Sequence, residues 1–125
     1  MKLCLFVLLI PNFVYKTGAQ NPNNYDGDVN FECGAGEYIN EITSVHDNKR
    51  EDRQWTFKCR QGLVSSDVDD CKWSQEVNEL DKPMNWECSS IMDPGVIGII
   101  VGARSYHSNR AEDRRWKYKC CKVSV

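Results

Sequence analysis

The chain has 125 residues, a formal net charge of −2 and seven cysteines, with 41% hydrophobic and 27% charged residues. Its length suits one domain, and its balance of charge lacks the strongly basic footprint of a nucleic-acid binder.

Residues 1–19 read as a secretory signal, with Lys2 as the positive start, an apolar run from Leu3 to Val14 and the small residues Thr17-Gly18-Ala19 at a cleavage site. The run is interrupted by Pro11 and Asn12 and falls well short of the ~20 apolar residues that cross a bilayer, so no membrane span is expected. Losing the signal removes Cys4 and leaves six cysteines: Cys33, Cys59, Cys71, Cys88, Cys120 and Cys121. In an oxidising compartment these read as three disulfides, and the absence of a Cys-x-x-Cys knuckle argues against zinc. Residues 20–30 read as a polar, turn-rich leader with nothing to bury.

Two ungapped copies of one pattern follow. His46-Asp47-Asn48-Lys49-Arg50-Glu51-Asp52-Arg53-Gln54-Trp55-Thr56-Phe57-Lys58-Cys59 matches His107-Ser108-Asn109-Arg110-Ala111-Glu112-Asp113-Arg114-Arg115-Trp116-Lys117-Tyr118-Lys119-Cys120. Upstream, Asn30-Phe31-Glu32-Cys33 matches Asn85-Trp86-Glu87-Cys88. Self-similarity defines the structural unit, here repeats 31–59 and 86–121 joined by a connector, 60–85.

Each tail alternates with period two. Arg53, Trp55, Phe57 and Cys59 share one parity, as do Arg114, Trp116, Tyr118 and Cys120, which is the half-buried strand signal. The segment before the second loop is apolar from Val96 to Val101, then Ala103, Ser105 and His107; Ile42, Ser44 and His46 keep the same register in the first copy. Each unit is therefore a β-hairpin, and because two strands alone are marginal in water the hairpins should pack on each other. The connector reads as loop, short strand around Lys72–Val77, loop. The expected fold is all-β: two tandem disulfide-stapled β-hairpin repeats packed into one small loop-rich domain over residues 31–125.

Equivalent cysteines in equivalent units should pair alike, giving Cys33–Cys59 and Cys88–Cys120 and leaving Cys71–Cys121. Parity agrees, since Cys120 lies on the aromatic side of its strand and Cys121 on the other.

Charge is unevenly spread. Residues 104–122 hold Arg104, Arg110, Arg114, Arg115, Lys117, Lys119 and Lys122 against Glu112 and Asp113, while residues 67–81 are acidic apart from Lys72. Arg115, Lys117 and Lys119 share one strand face at intervals of about 6.5–7 Å, with Arg104 expected to flank them. This is a candidate site for a sulfated polysaccharide; the competing reading is charge that protects an edge strand. The Asp-Arg-x-Trp motifs (Asp52, Arg53, Trp55; Asp113, Arg114, Trp116) also have two readings. A guanidinium laid on the indole and bonded to a loop carboxylate would clasp the loop, or the motif could form a ligand-binding rim; the clasp is preferred because both copies keep it with its aromatic framework. Asp67-Val68-Asp69-Asp70 lacks the glycine and distal glutamate of a calcium loop. One His per copy, with no nucleophile motif beside it, points to no catalysis. No cofactor or metal is expected.

Glu112 to Cys121, with Gly102 to His107 ahead and Glu51 to Cys59 as a second match, resembles the dermatopontin family over nearly all of residues 31–122. The resemblance implies a secreted, disulfide-bonded, non-enzymatic matrix protein. Its implied partners are sulfated glycosaminoglycans or proteoglycans, with collagen and cell surfaces beside them, and oligomers are compatible with it. Invertebrate relatives that agglutinate cells imply a lectin-like alternative. Vertebrate members carry a third repeat that this sequence lacks, and the tyrosine-rich character is missing.

Overall fold

A computed structural model describes residues 23–124. The signal segment expected over residues 1–19 and the first residues of the leader lie outside that range. Six strands form: β1 (Val29–Glu32), β2 (Glu37–Asp47), β3 (Asp52–Gln61), β4 (Cys71–Trp73), β5 (Gly98–Ser108) and β6 (Asp113–Lys122). Two 3₁₀ turns, Val68–Asp70 and Cys88–Ser90, are the only helical segments among the described residues. The all-β expectation holds, and no described helix is long and apolar enough to cross a membrane.

The two repeats fold as antiparallel hairpins with one register. His46 pairs with Arg53 and Asp47 with Asp52 across β2–β3, as His107 pairs with Arg114 and Ser108 with Asp113 across β5–β6. Even the irregularity repeats: the ladder skips Asn40 in β2 and Val101 in β5, equivalent positions in the two copies. A bulge of this kind bends and twists the strand. The Val101 carbonyl also accepts the Cys33 N–H at 2.9 Å. Both loops close through a left-handed glutamate, Glu51 and Glu112 with φ of 53°, a strained choice outside glycine and asparagine.

The hairpins differ in their company. β2–β3 is a two-stranded sheet, whereas β5–β6 is the centre of a four-stranded sheet ordered β1-β5-β6-β4. β1, which opens the first repeat, pairs with β5 of the second. Two expectations change here. The leader does bury something: Val29 is a core residue, and Asn23 bonds the β3 backbone, accepting from the Trp55 N–H and donating to the Arg53 carbonyl. The connector strand is shorter than Lys72–Val77, because after Trp73 the chain continues along β6 through single hydrogen bonds, Ser74 N–H to the Tyr118 carbonyl and Val77 N–H to the Trp116 carbonyl. β6 is thus covered on both sides, so its cations are not edge protection.

Val29, Phe31, Phe57, Ala103 and Trp116 form the core between the hairpins. Phe31 stacks on Phe57 at 5.1 Å, Trp86 on Tyr118 at 5.6 Å, and Trp55 meets Trp116 edge-on at 4.9 Å. The first two pairs are equivalent in the repeat; the third joins the repeats. Three disulfides, Cys33–Cys59, Cys88–Cys120 and Cys71–Cys121, staple the molecule. The first two span 26 and 32 residues, each worth roughly 3–4 kcal/mol on a chain-entropy account. The third joins directly opposed residues of β4 and β6.

Candidate functional site

The strand alternation sets Arg104 on β5 directly opposite Lys117 on β6, Tyr106 opposite Arg115 and Gly102 opposite Lys119. The four cations therefore share one sheet face. They are not equally available. Lys119 reaches across Gly102 to Glu32 of β1, Nζ to Oε1 3.3 Å. A side chain at Gly102 would be crowded, since a Cβ there would meet the Phe31 carbonyl and the Glu32 and Trp73 side chains at 3.0–3.2 Å. The Arg115 Nε donates to the Asn78 carbonyl at 2.7 Å, and its terminal nitrogens face Glu76 and Glu79 at 3.7 and 4.0 Å. The Arg104 guanidinium lies 4.0 Å over the Trp73 ring, with Nε on Asn30 Oδ1 at 3.3 Å. Lys117 is exposed and is the one cation of the four with no hydrogen bond or ion pair to the described residues. Arg104, Arg115 and Lys117, with Asp28, Glu76 and Tyr106, line a cleft of about 300 Å³. A hydrogen bond to Glu76 holds the Tyr106 hydroxyl above its ordinary pKa of 10.0.

The six residues of the two Asp-Arg-x-Trp motifs line a second cavity of about 340 Å³, together with His46, Glu51 and Glu112. The motif works across the repeats and not within each. Arg114 of the second copy grips Asp52 of the first, Nε–Oδ1 2.9 Å and Nη2–Oδ2 2.7 Å, and both side chains are buried. Its Nη2 also donates to the Gly27 carbonyl. Burial pushes the Asp52 carboxyl up, but Arg114 and the N–H groups of Asp26 and Arg53 outweigh it and hold the group below its ordinary 3.8. Arg53, the equivalent of Arg114, is exposed and donates to Ser44 Oγ. Neither arginine stacks on its own indole; the cation–aromatic contacts among the described residues are Arg104 on Trp73 and Arg50 on Tyr25. In place of a guanidinium laid on its own indole in each copy, the second copy's arginine makes an ion pair between the hairpins.

The two histidines, equivalent in sequence, part company as well. His46 is exposed, whereas the His107 side chain is 1% exposed. His107 Nδ1 lies 3.2 Å from Asp26 Oδ1 and 2.9 Å from Asn109 Oδ1, and Nε2 lies 4.0 Å from Asp52 Oδ1. Asp26, Asp52 and His107 each offer a ligand atom within 4.8 Å of the others. Both Asp52 oxygens already bond the Arg114 guanidinium, and Oδ2 also takes the Asp26 N–H. A guanidinium there competes with a metal ion for the same lone pairs, so the trio reads as part of the ion-pair network.

Two positioning residues escaped the sequence reading. Asn78 accepts from the Trp116 N–H and donates to the Arg114 carbonyl, both at 2.8 Å, filling the place of a strand on β6. Asn23 does the same on β3. Asp26 and Asp81, both left-handed, donate their N–H groups to Asp52 and Asp113. The signal was present: Asn-x-x-Asp precedes Asn-aromatic-Glu-Cys in both copies, Asn23 and Asp26 before Asn30, Asn78 and Asp81 before Asn85.

The dermatopontin family model matches residues 12–125. The chain is 41% identical over 100 residues to the hemagglutinin/amebocyte aggregation factor of Limulus polyphemus, covering 80% of this chain and 53% of that protein. It is 40% identical over 93 residues to dermatopontin of Biomphalaria glabrata, covering 74% and 57%, and 37% identical over 98 residues to Millepora cytotoxin-1 of Millepora dichotoma, covering 78% and 40%. It spans about half the length of the curated relatives it matches. No solved structure matches it.

Proposed function

The chain belongs to the dermatopontin family, and on that premise we propose that it is a secreted, non-enzymatic adhesive protein of the extracellular matrix, whose outer sheet face binds sulfated glycosaminoglycan. The observation that carries this reading is the direct opposition of Arg104 and Lys117 at a cleft, with Lys117 unpaired. Three disulfides suit an oxidising compartment. Arg115 and Lys119, held by Glu76, Glu79 and Glu32, flank Lys117 along β6, available to a polyanion that displaces the carboxylates. Proteoglycans, collagen-associated or at cell surfaces, would present such chains.

Exposed ionic contacts are weak, on the order of 1 kcal/mol or less each, and screened by salt, so retention must fall steeply as salt rises. Lys117→Ser should by itself account for most of the retention on heparin that Lys117→Ser/Lys119→Ser removes, with the melting temperature unchanged. Changing Thr56 and Lys58, the equivalents on β3, should matter less. Elution of the double variant at the parent's salt concentration would refute the reading.

A second reading, an agglutinin acting in blood-cell aggregation or defence, is favoured by the similarity to the Limulus protein. Clumping needs more than one site per particle, and it would be inhibited by simple sugars and indifferent to salt.

A further inference from the structure

The groove that the two Asp-Arg-x-Trp motifs build is not explained by the clasp, which uses only Asp52 and Arg114. We propose that it is a binding site for a neutral saccharide. It shares no lining residue with the cleft at Lys117, so the proposal stands or falls apart from the polyanion reading. It would supply the agglutinin reading with its ligand.

The lining itself decides the ligand class. Two donors of lining residues are buried with no partner among the described residues, Trp55 Nε1 and Arg114 Nη1, and Arg114 is only 5% exposed. Buried polar groups are almost always paired in folded proteins, so two orphaned donors on residues that line one groove are N–H groups that a small shift of either side chain would offer to an acceptor bound there. Acceptors abound at the same place. The carboxylates of Glu51 and Glu112, residues exposed at the two loop ends, make no hydrogen bond or ion pair with the described residues, and Asp113 spends one oxygen on the Asp81 N–H.

An anionic ligand would satisfy the donors but face these carboxylates. A cationic ligand would suit the carboxylates but leave the N–H groups unpaired and meet Arg53 and Arg114. A sugar hydroxyl both donates and accepts, so vicinal hydroxyls answer both sets at once. The half-buried Trp55 indole adds apolar surface for the C–H side of a sugar ring. The cavity, about 340 Å³, lies at the small end of ligand sites, which run from ~300 to ~1,000 Å³. That size fits a terminal sugar unit better than a long chain.

The test is saturation-transfer NMR and titration with a panel of neutral sugars, namely glucose, galactose, mannose, N-acetylglucosamine, N-acetylgalactosamine and lactose, at low and high salt. At least one should bind equally at both salts. Affinity should fall roughly tenfold or more in Glu51→Gln/Glu112→Gln, which loses charge-assisted hydrogen bonds at exposed positions, and should be unchanged in Lys117→Ser. Trp55→Phe, which keeps an aromatic ring and removes the indole N–H, should weaken binding independently of the loop variant. No binding to any sugar of the panel overturns the proposal, as does binding that ignores both groove variants. Tighter, salt-sensitive binding of glucosamine than of N-acetylglucosamine also overturns it, by making the groove a cation site.

Discussion

The two hairpins agree in register, bulge and loop ending, and differ in burial. Along β5, Ala103, Ser105 and the His107 side chain are buried; at the equivalent places along β2, Ile42 is 52% exposed, Ser44 is half-buried and His46 is exposed. The difference comes from flanking chain. β1 covers β5 and the connector covers β6, while among the described residues β3 is flanked by the Asn23 side chain and the Asp26 N–H and β2 pairs with β3 alone. A repeat in sequence therefore sets the shape of each hairpin, and the segments between repeats decide which one becomes the core.

The tryptophans test that asymmetry most strongly. Trp116→Ala should cost about 3–5 kcal/mol, the range for a buried large aromatic, and Trp55→Ala markedly less, since Trp55 is only half-buried; chemical denaturation measures both. Equal costs would mean that the hairpins share the core evenly.

The aspartates sharpen the comparison. Asp52→Ala leaves the Arg114 guanidinium buried and unpaired, which should cost about 3 kcal/mol or more. Asp113→Ala loses a hydrogen bond to the Asp81 N–H, about 1 kcal/mol. Because the folded-state pKa of Asp52 is depressed, its contribution is present above its ordinary value and is lost as pH falls through the lower folded-state value. Melting temperature followed from neutral pH into acid should show that loss in the parent and not in Asp52→Ala.

The smallest contrast between the copies is at the asparagines. Asn78→Ala strips partners from the Trp116 N–H and the Arg114 carbonyl and should cost about 2 kcal/mol. Asn23→Ala, whose bond to the Arg53 carbonyl is longer at 3.3 Å and exposed, should cost about 1 kcal/mol. Amide exchange at Trp55 and Trp116 would locate each loss.

The hairpins were legible because the second half of each repeat matches without gaps and alternates with period two, and the structure bonds the same cysteine pairs that the repeat implies. The leader was not legible, because asparagine and aspartate read as turn formers, while Asn23 and Asp26 act here as side-chain and backbone partners of a strand. β1 is only four residues long, too short for alternation to stand out from the turn-rich residues before it. The charge state of the basic face was hidden for another reason. Lys119 and Arg115 are neutralised by Glu32, Glu76 and Glu79, which join them only after folding, and residue spacing along one strand carries no record of that.

The crossing of β1 to the second repeat also bears on synthesis. Asn30 lies 74 residues before Arg104, the residue it pairs with. A chain made from its N-terminus presents Val29 and Phe31 long before β5 exists to receive them, and pairing at such separation is slow. The first hairpin can zip and oxidise its own cysteines in the meantime, but the sheet itself waits for the last third of the chain.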